Sequence, residues 1–395
     1  MRRTGAWPPS RVFSRAFTAT TAAGGGATPP LARRSWIAHR TCGQQHRPLL
    51  CSNGARSFVS FIPKANPSVP REHRPPPPPL PEPQHFHLEH ENCTIEYIDI
   101  KPVCASAAAK DEVTMVLVHG APGTYHDFRH IIPLLQQQRE SSTSNMRIIG
   151  INLPGFGRST VDKTAYLDQI SAVPAAKLTL QALQALCTPT ENVFVMGHSF
   201  GAHAAFNLTA LNQELRNDNR QQQVNFKGMV LLAPAGCRPH RVLRPKENAM
   251  VIRLLRSSNP LVTSMLTQAI KFLYTRMLGF SRENPASHFV AGIVRAGTTD
   301  FRVVTDHVLA TRSTIPSFIA WSSSDEYMEG EIPVELAQMC HPGPRIAFTG
   351  GGHNIQKTRA DFLADQVLAW VRQVLHSESK VSNKSRDVDD VQVVP

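Results

Sequence analysis

Apolar residues along this chain gather into short, nearly continuous runs separated by longer segments of helical period. The runs are VTMVLVH at 113–119, RIIGIN at 147–152, NVFVM at 192–196, GMVLLA at 228–233, and residues 317–321 and 345–348. Parallel strands covered on both faces read this way, because neither face meets water. Residues 86–90 and 93–100 predict an opening pair of strands, and helices are expected at 175–186, 202–215 and 360–375. Strand and helix in alternation predict an α/β domain, a mostly parallel sheet with helices on both faces. The interval 237–315 breaks the rhythm, with helical patterning and no clear strand. An insertion of that size between two sheet strands is expected to form a helical cap over one end of the sheet.

Charge alters the picture mainly at the N-terminus. The chain has 395 residues, a formal charge of +12 and an apolar fraction of 41%, which permits a sizeable core. Eleven of the 42 Lys and Arg fall within residues 1–71, where there is no Asp or Glu; the remaining 31 basic residues face 30 acidic ones. A nucleic-acid-binding domain is disfavoured, since phosphate neutralisation needs an excess of cations on the folded surface. The acid-free segment rich in Arg, Ser, Thr and Ala predicts a mitochondrial transit peptide over 1–71, with a cytoplasmic protein carrying a basic tail as the alternative. A proline-rich linker over 72–84 follows, within a stretch that has five consecutive prolines at 75–79. The folded domain is expected over 85–376 and a disordered tail over 377–395. Seven cysteines, an odd number without a CxxC pair, indicate neither a disulfide framework nor a zinc site. No transmembrane segment is predicted, because no stretch reaches the ~18 apolar residues that a span requires.

The residues that carry chemistry follow the predicted strands. Gly197-His198-Ser199-Phe200-Gly201 lies between NVFVM and a helical segment, the strand, sharp turn and helix of a nucleophile elbow. Glycine two residues either side of the serine avoids collision between strand and helix. His119-Gly120-Ala121-Pro122-Gly123 ends the VTMVLV strand, and Leu153-Pro154-Gly155-Phe156-Gly157-Arg158-Ser159 follows RIIGIN. On these motifs, over roughly residues 85–375, the chain resembles the α/β-hydrolase superfamily: HGxP resembles its oxyanion turn and PGxGxS one of its structural loops. The segment Pro234-Ala235-Gly236-Cys237-Arg238-Pro239-His240 is similar to one found in a group of uncharacterised hydrolases.

The resemblance implies an α/β-hydrolase fold with a mostly parallel eight-stranded sheet and a cap at about 237–315. It implies a serine hydrolase acting on ester-type bonds, carboxylester or thioester, with Ser199 as nucleophile and His353, in a glycine-rich loop before the last helix, as base. Asp325 follows the predicted strand 317–321 and gives the chain order Ser, Asp, His; Glu326 is the adjacent rival. The backbone N–H groups of Ala121 and Phe200 are expected to hold the oxyanion, Pro122 having none. His119, Gly120, Pro122, Gly197, His198 and Gly201 are expected to support the turns. The chemistry requires no metal or organic cofactor. Carbon–carbon bond hydrolysis and acyl transfer remain open on the same triad, as does an inactive hydrolase-fold binding protein. The partner expected is a small acyl substrate, anionic or lipid-like, because residues 237–315 hold twelve Lys or Arg against four acids. Substrate identity and oligomeric state stay open.

Overall fold

The computed structural model describes residues 76–102, 113–136, 146–217, 223–378 and 391–395. The segment read as a transit peptide lies outside them, as do residues 379–390 of the expected tail. Among the described residues nine strands form one sheet: β1 (Gln84–Leu88), β2 (Cys93–Ile100), β3 (Val113–Val118), β4 (Met146–Ile151), β5 (Asn192–His198), β6 (Phe226–Leu232), β7 (Ser317–Ser322), β8 (Arg345–Phe348) and β9 (Gln392–Val394). Their spatial order is β1-β2-β4-β3-β5-β6-β7-β8-β9. The β1–β2 and β2–β4 pairs are antiparallel; all the others are parallel.

The helices are α1 (Ile132–Gln136), α2 (Tyr166–Gln169), α3 (Ala172–Leu186), α4 (Gly201–Asn217), α5 (Pro245–Leu255), α6 (Pro260–Phe272), α7 (Ala286–Gly297), α8 (Phe301–Thr311), α9 (Glu331–Met339), α10 (Ile355–Thr358) and α11 (Ala360–Glu378), with a π-helical turn at Leu273–Met277 after α6. The strand period of two divides the core between the two faces of the sheet. Val116 and Val118 of β3 and Val193 and Val195 of β5 join the core beneath α3 and α4. Their neighbours Met115, Leu117, Phe194 and Met196 join the opposite core, against α1 and α11. That two-sided burial is why these strands read as unbroken apolar runs.

Three expectations need correction. The sheet has one strand more than the eight expected, and the extra strand comes from the segment read as a disordered tail. Ile346, Ala347 and Phe348 pair with Gln392, Val393 and Val394, and the Thr349 N–H donates to the Val394 carbonyl at 2.9 Å. Three residues are too short a run to be legible; the open edge of β8, with its unpaired backbone groups, makes them a strand. Helix α3 starts at Ala172 rather than 175, because Pro174 falls in its first turn, where a missing N–H costs nothing. The interval 237–315, expected as one cap, is divided. Helices α5, α6 and α7 pack on one another, whereas α8 lies on α4, with His307 Nδ1 and Asn207 Oδ1 at 2.8 Å and Val304 and Val308 in the core that α3 and α4 cover.

Candidate active site

Ser199 and Phe200 are the whole connection between β5 and α4. Ser199 sits at φ +55°, a left-handed conformation that costs a non-glycine residue on the order of 1–3 kcal/mol. Three backbone bonds hold it there: its N–H donates to the Leu232 carbonyl at 3.0 Å, and its carbonyl accepts from the N–H groups of Ala202 at 3.0 Å and Ala235 at 3.2 Å. The flanking glycines are demanded by close approach. A Cβ on Gly201 would lie 2.2 Å from the Val118 carbonyl oxygen, and one on Gly197 would lie 2.4 Å from that of Gly201.

The ends of β7 and β8 bring the other two candidates together. His353 Nδ1 lies 2.7 Å from Asp325 Oδ2, while Asp325 Oδ1 accepts the N–H groups of Tyr327 at 2.8 Å and Met328 at 2.9 Å. Burial pushes the Asp325 pKa up, but the bond to His353, its charge and the two amides outweigh that and hold it below the usual carboxylate range. Glu326, the rival acid, instead accepts the backbone N–H of His353 at 3.0 Å and so fixes the loop rather than the ring. His198, directly before Ser199, donates from Nε2 to the His353 carbonyl at 3.0 Å, and the two rings lie 4.8 Å apart. This tie joins the Ser199 turn to the histidine loop, and the sequence carries no signal for it beyond the adjacency of His198 to Ser199. Among the described residues Ser199 Oγ makes no hydrogen bond; such bonds often close only when substrate is bound.

Beside Ser199 stands the turn of residues 119–123. A Cβ on Gly120 would lie 3.0 Å from Ser199 Cβ, so the glycine lets the turn reach Ser199. Neither the Ala121 nor the Phe200 N–H donates a bond among the described residues, which leaves both available to an oxyanion. His119 is structural: its Nε2 accepts the Leu153 N–H at 3.0 Å, so the Nδ1 that contacts the Gly120 carbonyl at 2.6 Å is the donor. Burial drives its pKa down to about 3, and does the same to His198. The 153–159 loop is structural as well. Gly157 at φ +57° turns it over the buried Glu96, which accepts from Asn152 Nδ2 at 2.6 Å and the Arg158 N–H at 2.7 Å. Asp127, for which the sequence carries no signal, follows the 119–123 turn; burial lifts its pKa to about 6, and the charge of His353 acts on it.

The assembled site is closed. Ser199 is 6% exposed and His353 8%, with Tyr327 edge-on to the His353 ring at 5.0 Å and His240 against Phe200. A cavity of about 470 Å³ opens elsewhere, between residues 163–168 and α5, α6 and Val290, and none of Ser199, Asp325 or His353 lines it. Among the described residues no group of three His, Cys, Asp or Glu side chains could hold a metal ion, and no helix is long and apolar enough to cross a membrane.

A parallel sheet with a strained serine after its central strand, and an Asp–His pair at the ends of two later strands, defines the α/β-hydrolase class. Residues 87–345 match a family described as alpha/beta hydrolase of unknown function, DUF1057, and the chain belongs to that family. It is 23% identical over 320 residues to the uncharacterized protein F35H12.5 of Caenorhabditis elegans, covering 70% of this chain and 82% of that one. Among solved structures it is similar in fold to a haloalkane dehalogenase from Bradyrhizobium elkani (TM-score 0.52, 17% identity, 75% of this chain and 99% of that one). A putative lipase from Acinetobacter baumannii is comparable (TM-score 0.51, 16% identity, 75% and 93% covered), as is a thermophilic esterase from Thermogutta terrifontis (TM-score 0.51, 14% identity, 74% and 99% covered).

Proposed function

We propose that the protein is a serine hydrolase that cleaves an ester-type bond through an acyl-enzyme. The observation that carries the reading is the 2.7 Å bond from His353 Nδ1 to Asp325, made where His198 ties the same histidine to the serine turn. With Nδ1–H donated to the carboxylate, the Nε2 lone pair of His353 is free to take a proton. It takes the Ser199 proton as Oγ bonds to the acyl carbon, and the Ala121 and Phe200 amides hold the resulting oxyanion. Collapse breaks the bond to the leaving oxygen or sulfur, which receives that proton from Nε2. Water then repeats the sequence: His353 takes its proton, hydroxide oxygen bonds to the acyl carbon, and the Ser199 oxygen leaves and is reprotonated.

Helices α5–α7 act in this reading as a cap that excludes water. Dehalogenase and epoxide chemistry, which need a carboxylate nucleophile, are not supported, because Ser199 stands at that position. The test is labelling with a fluorophosphonate probe together with hydrolysis of p-nitrophenyl butyrate. Wild type should label and turn over, and Ser199→Ala and His353→Ala should do neither. Equal labelling of Ser199→Ala would move the nucleophile elsewhere, and a folded wild type that neither labels nor hydrolyses would favour a binding protein. We also propose mitochondrial import directed by residues 1–71, tested by fusing them to a fluorescent reporter; a diffuse cytosolic signal would refute it.

A further inference from the structure

Among the described residues two arginines are buried, Arg295 and Arg345, and Arg147 is half-buried; two of the three have evident partners. Arg147 is clamped between Asp99, at 2.7 Å, and Glu191, at 3.0 Å. Arg345 donates to the carbonyls of Ser317 at 2.5 Å and His341 at 2.7 Å. Arg295, on α7, is different. It is 2% exposed, heads the largest fully buried side chains, and among the described residues its guanidinium makes neither a hydrogen bond nor an ion pair; Nη1 is enclosed without any acceptor. Burial alone acts on its pKa, drawn down to about 10, with no carboxylate opposing it. The group is therefore a cation at neutral pH, in surroundings that offer it nothing. A buried unpaired charge costs several kcal/mol, which a fold rarely sustains without use for it.

The helix fixes where this cation stands. Gly292, Arg295 and Ala296 share one face of α7, since residues three and four apart lie over one another. At one end of that face a Cβ on Gly292 would rest 3.5 Å from the Pro122 nitrogen. At the other, Ala296 packs in a cluster with Phe200 and Ala121, the two residues proposed to hold the oxyanion. Arg295 lies between, near enough to His119 and His203 for its charge to lower both their pKa values. Those histidines, at about 3 and about 4, are neutral, as is His240 at about 4. The wall of the candidate site thus holds, in Arg295, a buried positive charge with the planar donor fork that matches a carboxylate.

We propose that Arg295 is the substrate-binding residue for a carboxylate, so that the ester cleaved at Ser199 is one that itself bears a single carboxylate group. The inference rests on the hydrolase reading above for its catalytic half. One buried guanidinium balances a monoanion, whereas a phosphate dianion would leave a net negative charge beside it.

The experiment compares wild type with Arg295→Met, which keeps the length of the stem and removes the charge. Two matched pairs of esters carry the carboxylate on either side of the scissile bond: p-nitrophenyl hemiglutarate against p-nitrophenyl valerate, and acetylsalicylate against phenyl acetate. In at least one pair the wild-type kcat/KM ratio of charged to neutral ester should exceed one, and in Arg295→Met it should fall at least about 10-fold, the loss of one charge-assisted bond. Independently of turnover, 10 mM butyrate, a monocarboxylate, should raise the wild-type Tm by about 2–4 °C, inorganic phosphate should raise it less, and neither should raise that of Arg295→Met. The Tm of the unliganded variant should equal or exceed that of wild type, because removing an unpaired buried charge relieves the fold; a purely structural arginine would instead lower it. Unchanged ratios in both pairs, or an equal butyrate response in the two proteins, would overturn the proposal. If wild type hydrolyses neither ester and Ser199 does not label, the hydrolase reading fails, and the butyrate response alone decides whether Arg295 binds a carboxylate.

Discussion

The choice between two adjacent carboxylates shows what a single residue decides at this site. Asp325 and Glu326 both follow β7 and both reach the 353 loop, one at the imidazole and the other at the backbone. Replacing Asp325 by Asn presents an amide N–H to Nδ1 and drives the proton to Nε2, where it blocks acceptance from Ser199. Turnover of a p-nitrophenyl ester should fall about 10⁴-fold, the scale of a wrong imidazole tautomer, with the circular dichroism spectrum retained. Glu326→Gln keeps an acceptor for the His353 N–H and loses only the charge assistance, so the loss should stay within about 10-fold. The reverse ranking would exchange their roles. Chain order made Ser199 and His353 legible, because each follows a recognisable strand. It could not separate residue 325 from 326, whose difference lies in a turn where the Tyr327 and Met328 amides capture Asp325 Oδ1. Arg295 was invisible for another reason: counted among twelve basic residues it reads as one more solvated charge, and only burial singles it out.

At the scale of elements, the strands that carry the site were read closely and the pieces held by tertiary contact were not. β3, β5 and β6 have their hydropathy imposed by burial on both faces, so pattern and structure coincide. β9 and the place of α8 are fixed by what they lie against, the edge of β8 and the flank of α4, and no local pattern encodes a neighbour. The elbow itself is local, hence legible, and it is also the element least tolerant of change. Gly201→Ala would drive a methyl to within 2.2 Å of the Val118 carbonyl oxygen, so α4 or β3 must move. Backbone displacement of that kind costs about 1–3 kcal/mol or more, and the Tm should fall by about 2–10 °C. Differential scanning fluorimetry reads this directly, and a Tm within about 1 °C of wild type would show that strand and helix are not opposed tightly enough to exclude a methyl group.

Across the whole molecule, the same burial that closes the site sets how the fold responds to acid. His119, His198, His203 and His240 are all buried, and burial pushes their pKa values down to about 3, about 3, about 4 and about 4. In the unfolded chain each titrates near 6.5. Below that pH the unfolded state takes up protons that the folded state refuses, so stability is complete above about pH 6.5 and falls as pH drops towards 4. Each histidine contributes up to about 1.4 kcal/mol per pH unit in that window. Four together approach the whole stability of a typical domain, about 5–15 kcal/mol, near pH 5. The depressed pKa of Asp325 adds a loss only at still lower pH, as its carboxylate protonates. Tm should therefore be level from pH 8 to 7 and drop steeply between 6.5 and 5; a flat profile to pH 5 would mean that water reaches these rings. His240 isolates one part of the effect, because among the described residues neither of its ring nitrogens has a hydrogen-bond partner. His240→Phe removes a titrating group without removing a bond, so the proton uptake on unfolding at pH 5.5, measured by calorimetry in buffers of different ionisation enthalpy, should fall by nearly one.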